Sequence, residues 1–145
     1  YFNRSRLDKN LEKGAHYHES LKSLLSVSDF FSINCPATKE TKHIINEETL
    51  RYFPDGAVIS NSARGDMIDD DAMVSALKTG KIFSLGLDVY NGEPNIHPEY
   101  LILPNVYVLP HLGSSTKKTR TAMADLAVKN IEEFFKTNKC QNKVN

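Results

Sequence analysis

Short apolar runs alternate with helical patterns along this chain, and the alternation limits the fold more than any other feature of the sequence. Residues 29–34, 56–61, 83–89 and 106–109 predict strands, and Tyr1-Phe2 predicts the tail of an earlier strand. Strands that are apolar throughout and separated by helices are typical of a parallel sheet with helices on both faces. The sequence therefore predicts a doubly wound α/β fold.

Capping residues mark the helices between the predicted strands. Residues 20–25 predict a short helix, and Asn46 and Asp69 are predicted to cap the two helices that follow. The helix after Asn46 is predicted to end before Pro54, and the helix after Asp69 to stop at Gly80. These helices would cover the strands.

The last predicted helix starts at Ser114 or Ser115. Its apolar residues recur at helical spacing as Met123, Leu126, Ala127, Ile131 and Phe134. Residues 136–145 are polar and are predicted to form a tail.

Composition and charge exclude several classes of partner. The 18 basic and 18 acidic residues balance, so no excess positive charge suggests binding to nucleic acid or to an anionic membrane. The apolar runs are far too short to cross a bilayer. Cys35 and Cys140 are widely separated, which argues against a zinc site or a disulfide framework. We expect a cytoplasmic protein with no metal, nucleic acid or membrane partner.

Three polar residues follow three different predicted strands. Arg64, Glu93 and His111 come after the strands at 56–61, 83–89 and 106–109. Ligands of parallel sheets gather beyond the carboxyl ends of the strands, so these side chains can meet in one crevice. Taken singly, Arg64 could form a surface salt bridge with Asp66 or Asp69, and the other two could be turn residues.

Several segments, in matching order and spacing, resemble the D-isomer-specific 2-hydroxyacid dehydrogenases. They are residues 61–66, 86–94 and 109–114, joined by the loop at 35–41 and by Ile44 and Asn46. The resemblance covers roughly residues 1–135, and residues 93–106 are most similar to the glyoxylate/hydroxypyruvate reductase branch. It implies a Rossmann-like sheet without its first strand and Gly-rich loop. Residues 1–135 would be the C-terminal part of the dinucleotide-binding domain, including the helix that returns to the substrate domain.

The resemblance also implies roles for individual residues. His111 would be the general acid for a small 2-keto acid, with Glu93 holding its ring and Arg64 gripping the substrate carboxylate. The residues expected to bind the cofactor are Asn3, Arg4, Ser5, Pro36, Thr41, Ser62, Ala63, Arg64, Asp88, His111 and Gly113.

The segment after Tyr1-Phe2 bears on the choice of cofactor. NAD-preferring enzymes usually place a carboxylate at this strand end for the ribose hydroxyls. Here the chain offers Arg4, which would pair with a 2′-phosphate, and no acid before Asp8. We therefore expect NADP(H) to be preferred over NAD(H). The alternative is that Arg4 and Arg6 merely face solvent.

The expected function is reduction of a 2-keto acid to a D-2-hydroxy acid, with glyoxylate or hydroxypyruvate as substrate, in a homodimer. Two alternatives remain open: a non-catalytic corepressor-like protein that senses dinucleotide, and a phosphoglycerate dehydrogenase. Without the central first strand, we expect these 145 residues alone to bind dinucleotide weakly and not to fold as a stable monomer.

Overall fold

A parallel four-stranded sheet organises the chain. The computed structural model describes residues 1–144. The strands pair in sequence order, β1-β2-β3-β4. Their bounds are Phe30–Ile33 for β1, Ala57–Asn61 for β2, Ile82–Leu87 for β3 and Val106–Val108 for β4. The prediction of a Rossmann-like parallel α/β fold is confirmed.

The register of the sheet aligns the carboxyl ends of its strands. Ile33 pairs with Asn61, Asn61 with Leu87, and Leu87 with Val108. All four strands therefore end at the same height along the sheet. The polar segments that follow them start from one edge, which is what brings residues distant in sequence together.

The two faces of the sheet differ in burial. Ile33, Ile59, Leu85 and Leu87 point to one face and are at most 3% exposed. They form the core with the helices that precede β2 and β3. Residues of the opposite face are more accessible, and Phe30 and Tyr107 there are 82% and 67% exposed.

Four α-helices lie in this region, namely the three that the sequence predicts and a shorter one before them. They are α1 (Lys9–Glu12), α2 (Leu21–Leu25), α3 (Glu47–Leu50) and α4 (Asp70–Thr79), with short 3₁₀ helices at Gly65–Met67 and Pro98–Leu101. Ser20, Asn46 and Asp69 accept backbone N–H groups of the first turns of α2, α3 and α4. Gly80 ends α4 at a φ of 77°, which a residue without Cβ adopts easily.

The prediction of a strand at Tyr1-Phe2 is wrong. The Tyr1 amino group donates to the His16 carbonyl at 2.5 Å, and the Tyr1 carbonyl accepts from His18 N at 2.7 Å. Both bonds involve Tyr1, and the chain bends at Arg4 and Ser5, after Phe2 and Asn3. The segment is a loop with one paired residue.

The chain divides into two compact units, Tyr1–His111 and the remainder from Leu112 onward. The second unit contains α5 (Lys117–Thr137), none of whose residues is buried. Its cap is Thr116, so the predicted start at Ser114 or Ser115 is wrong by one or two residues. The reason is local: Ser114 has a φ of 60°, a left-handed conformation.

Across residues 1–144, no helix is long and apolar enough for a membrane span.

Candidate active site

Three side chains reach the carboxyl edge of the sheet from three neighbouring strands. Arg64 lies three residues beyond the last residue of β2, and His111 three beyond the last residue of β4. Glu93 lies six residues beyond β3, in the longer segment that ends at Pro98–Leu101. The aligned strand ends give all three segments a common origin.

Glu93 and His111 form a hydrogen-bonded pair. The distance from His111 Nδ1 to Glu93 Oε2 is 2.8 Å, and Glu93 Oε1 accepts from Tyr90 N at 3.2 Å. The hydrogen bond to His111 is the main reason that the pKa of Glu93 lies below its ordinary value. Glu93 is therefore an anion at neutral pH, and it fixes the orientation of the imidazole.

The backbone of His111 is in an uncommon conformation. Its φ of 54° falls in the left-handed region, which few residues other than glycine occupy. Such conformations persist where surrounding contacts impose them, and they concentrate at functional sites. In this conformation the His111 ring pairs with Glu93, and the His111 side chain remains 45% exposed.

Arg64 contributes a positive charge to this pair. Its charge makes the smallest contribution to the lowered pKa of Glu93, after those of His111 and of the Tyr90 N–H. The Arg64 Nη1 atom donates to the Ala63 carbonyl at 2.6 Å, and the side chain is exposed. Within the described part of the chain, no ion pair joins Arg64 to Asp66 or Asp69, so the surface salt bridge considered from the sequence does not form.

A groove of about 590 Å³ lies beside Arg64 at the ends of β1 and β2. The residues that line it are Asn34, Cys35, Pro36, Ala37, Ser62, Ala63 and Arg64. Thr41 shapes its rim, because its hydroxyl donates to the Pro36 carbonyl at 2.8 Å. Four residues predicted to bind cofactor thus line one groove, and the small side chains of Pro36, Ser62 and Ala63 suit a flat ring held near the backbone.

A larger groove, of about 720 Å³, lies along α3 and α4 and contains none of the residues predicted for the site. Its position on the flank of these helices separates it from the strand ends, where ligands of parallel sheets bind. We therefore place the candidate site in the smaller groove.

The segment predicted to select the cofactor is exposed. Asn3, Arg4 and Ser5 are all accessible, and Asn3 Oδ1 accepts from Arg4 N at 2.9 Å. The pKa of Glu40 lies below its ordinary value, mainly through a hydrogen bond with Thr38 and in smaller part through the charge of Arg4. Arg4 is thus electrostatically linked to the 36–41 loop that borders the groove.

Arg6 has a structural role in the same segment. Its Nε and Nη2 atoms donate to the two oxygens of Glu12 at 2.7 and 3.1 Å, and Tyr1 Oη donates to Glu12 Oε1 at 2.7 Å. These bonds lower the pKa of Glu12 to about 2. Arg6 is hydrogen-bonded to Glu12, so the alternative that Arg4 and Arg6 merely face solvent is wrong for Arg6.

Two further predicted cofactor residues lie beside the site in sequence. Asp88 follows β3, and its backbone N–H donates to the Asn61 carbonyl at 3.0 Å. Gly113 belongs to the second unit, two residues after His111.

Sequence reasoning missed Asn61 and Gly65 as residues that shape the site. Asn61 is 1% exposed and hydrogen-bonds to the loop that carries Arg64. A Cβ on Gly65 would lie 2.0 to 2.3 Å from backbone atoms of Tyr90 and Asn91. An amide at the end of the inward-facing row of this strand, whose other members are the apolar Ala57 and Ile59, was the available signal for Asn61. For Gly65 no signal was available without the fold.

A parallel α/β sheet with such a groove at its carboxyl edge is typical of dinucleotide-binding domains, among other ligand-binding α/β proteins. Residues 1–113 match the family described as D-isomer specific 2-hydroxyacid dehydrogenase, NAD binding domain. The chain belongs to this family.

Proteins of known structure or curated name agree with this assignment. A glycerate dehydrogenase of Hyphomicrobium methylovorum is 43% identical over 93% of the chain and 42% of its own length. A glyoxylate reductase 1 of Saccharomyces cerevisiae is 42% identical over 96% of the chain and 39% of its own length. An NADPH-dependent glyoxylate/hydroxypyruvate reductase of Sinorhizobium meliloti, solved with NADP and malonate, is 34% identical with a TM-score of 0.91, covering 99% of the chain and 44% of that protein. The chain spans less than half the length of these relatives.

Proposed function

We propose that this chain is the later part of the dinucleotide-binding domain of an enzyme that reduces a small 2-keto acid to its D-2-hydroxy acid. The observation that carries the proposal is the 2.8 Å hydrogen bond between Glu93 and His111, with the charge of Arg64 acting on the same carboxylate. A cation, a proton carrier and its anionic partner at one sheet edge are the groups that keto-acid reduction requires.

The substrate side of the reaction follows from the chemistry of these groups. The Arg64 guanidinium would bind the substrate carboxylate through two parallel N–H groups, which match the geometry of a carboxylate. Because Glu93 occupies His111 Nδ1, the ring nitrogen that would meet the substrate is Nε2. His111 would donate its Nε2 proton to the carbonyl oxygen as a hydride reaches the carbonyl carbon, and the product would be the neutral alcohol.

Glu93 would support this proton transfer in two ways. It holds the imidazole in one orientation, and by accepting the hydrogen bond from Nδ1 it leaves Nε2 as the ring nitrogen that would face the substrate. The lowered pKa of Glu93 keeps the carboxylate ionised across the neutral range, so the support would not depend on pH there.

The groove at the ends of β1 and β2 fits the nicotinamide end of a dinucleotide. When bound, the cofactor supplies the hydride. Pro36, Ser62 and Ala63 would flank the ring, and Thr41 would hold the Pro36 loop in place. Asp88 would lie near the nicotinamide carboxamide.

We propose NADP(H) as the preferred cofactor. Arg4 is exposed, whereas Arg6 is engaged by Glu12, so Arg4 is the cation of this segment that is placed to meet a 2′-phosphate. The Sinorhizobium meliloti relative, described as NADPH-dependent and solved with NADP, supports the same preference.

We propose glyoxylate or hydroxypyruvate as substrate, supported by the names of the Saccharomyces cerevisiae and Sinorhizobium meliloti relatives. The test is oxidation of NADPH and of NADH by the full-length protein carrying this chain, with glyoxylate, hydroxypyruvate and 3-phosphohydroxypyruvate. We expect turnover with the first two and a lower KM for NADPH than for NADH. Preference for the third would favour a phosphoglycerate dehydrogenase, and binding of dinucleotide without turnover would favour a corepressor-like protein.

A further inference from the structure

Asn61 occupies an unusual position for an amide side chain. It is the last residue of β2, it is 1% exposed, and among the described residues the other buried polar side chain, Ser28, lies elsewhere in the fold. Burying an amide is costly unless its hydrogen bonds are satisfied. The partners of Asn61 therefore show which part of the fold this residue stabilises.

All of these partners belong to the segments around the candidate site. Oδ1 accepts from Ala63 N at 3.0 Å, and Nδ2 donates to the Arg64 carbonyl at 2.8 Å. The main-chain carbonyl of Asn61 accepts from Asp88 N at 3.0 Å. One residue thus fixes the loop from Ser62 to Arg64 and ties its start to the end of β3.

The far side of Arg64 is fixed by a different contact. Gly65 lies so close to the backbone of Tyr90 and Asn91 that a Cβ there would come within 2.0 to 2.3 Å of it. Tyr90 in turn donates its N–H to Glu93. Arg64 is therefore held between the amide of Asn61 and a close backbone contact that leads to the Glu93–His111 pair.

We infer that Asn61 is the positioning residue for Arg64, setting where its guanidinium meets the substrate carboxylate relative to the imidazole of His111. The inference rests on the proposed function. Asn61 itself has no contact with the reacting atoms and acts through the backbone of residues 63 and 64.

The chemistry of the amide explains why asparagine is needed here. The loop presents one N–H and one carbonyl, so the side chain must accept and donate at the same time. Aspartate keeps the shape but would turn a carboxylate oxygen toward the Arg64 carbonyl. Leucine would keep the volume and lose both bonds.

The test uses Asn61→Asp in the full-length protein, with Asn105→Asp as the matched control. Asn105 also donates from Nδ2 to main-chain carbonyls, those of Leu77 and Phe83, but it precedes β4 at the opposite edge of the sheet. Measurements are kcat and KM for glyoxylate, the Kd of the unreactive analogue oxamate, and the melting temperature. Asn61→Ser, which is uncharged and too short to make both bonds, replaces Asn61→Asp if that variant does not melt cooperatively.

We expect Asn61→Asp to lower kcat/KM and weaken oxamate binding by at least about tenfold, since a displacement of about 1 Å in a reacting group can cost about 100-fold. Asn105→Asp should stay within about twofold of wild type. In an Arg64→Lys background, Asn61→Asp should add little, because the group that it positions is already altered.

Two results would overturn the inference, and they have different consequences for the proposed function. If the wild-type protein shows no turnover, the proposed function fails and this inference falls with it. If the wild type is active but Asn61→Asp matches Asn105→Asp, or if its loss adds fully to that of Arg64→Lys, Asn61 has only a structural role and the proposed function stands.

Discussion

The carboxyl edge of the sheet and the N-terminal segment are built on different principles. At the edge, aligned strand ends place Arg64, Glu93 and His111, and a direct 2.8 Å bond joins two of them. In residues 1–18, Tyr1 and Arg6 both hydrogen-bond to Glu12, while Arg4, which lies between them in sequence, remains exposed. The backbone fold sets the geometry of the proposed reaction, whereas local side chains set the proposed choice of cofactor.

This difference predicts that the two properties can be changed separately. Substitutions at the edge should lower turnover with either cofactor. Substitutions in the N-terminal segment should change the preference between cofactors and leave turnover nearly intact.

The largest effect is expected for His111→Gln. Glutamine removes the proton donor, and general acid catalysis contributes about 10²- to 10⁴-fold, so kcat should fall by that factor with NADPH and with NADH. Steady-state kinetics of the full-length protein measures it.

His97→Gln is the matched control for this substitution. His97 also pairs with a carboxylate, with Nε2 at 3.4 Å from Asp71, but it caps the 3₁₀ helix before β4 and lies outside the site. Equal losses in the two variants would remove the special role of His111.

A smaller effect is expected for Glu93→Gln. The ring of His111 would lose its anionic partner and its fixed orientation, so kcat should fall by about tenfold to 100-fold. The pKa of Glu93 is lowered in the folded protein, so its stabilising bond is present above the ordinary value of 4.5 and is lost as pH falls through the lower folded pKa. The stability difference between wild type and variant should therefore be constant near neutral pH and vanish only below 4.5.

Glu99→Gln controls for the loss of a paired carboxylate. The pKa of Glu99 is also lowered, in its case by Lys78, and this pair joins the 3₁₀ helix to α4 away from the strand ends. Glu99→Gln should show a similar pH pattern in chemical unfolding and wild-type kcat. A drop in its kcat as large as that of Glu93→Gln would contradict the account.

The smallest effect on turnover, and the clearest on selectivity, is expected for Arg4→Ala. Hydrogen bonds to charged groups contribute about 1.5–3 kcal/mol, so the KM for NADPH should rise about tenfold or more while the KM for NADH stays unchanged. Arg51→Ala, which removes an exposed arginine paired with Glu47 on α3, is the control. A parallel rise of both KM values would contradict a role in recognising a 2′-phosphate.

The sequence contained enough to predict most of the fold. Strand positions and the caps at Asn46 and Asp69 depend on local patterns, and the structure confirms them. The prediction of a strand at Tyr1-Phe2 failed because two apolar residues are too few to show whether backbone hydrogen bonds continue along the chain. The start of α5 failed because the left-handed conformation of Ser114 is not marked by its residue type.

The sequence also predicted the common sheet edge of the candidate site. Arg64, Glu93 and His111 were expected to converge because polar residues that follow parallel strands start from one edge, and the structure places their segments there. The contributions of Asn61 and Gly65 could not be predicted, since they depend on which backbone atoms lie within 3 Å, a property of the folded loops.

The most direct test of the central claim is a crystal structure of the full-length protein with dinucleotide and oxamate. We expect Arg64 to bind the carboxylate of the analogue, and His111 Nε2 to lie within hydrogen-bond distance of its carbonyl oxygen. The bond between Glu93 and His111 should be retained. An analogue bound with its carboxylate away from Arg64, or a His111 ring turned away from both Glu93 and the analogue, would contradict it.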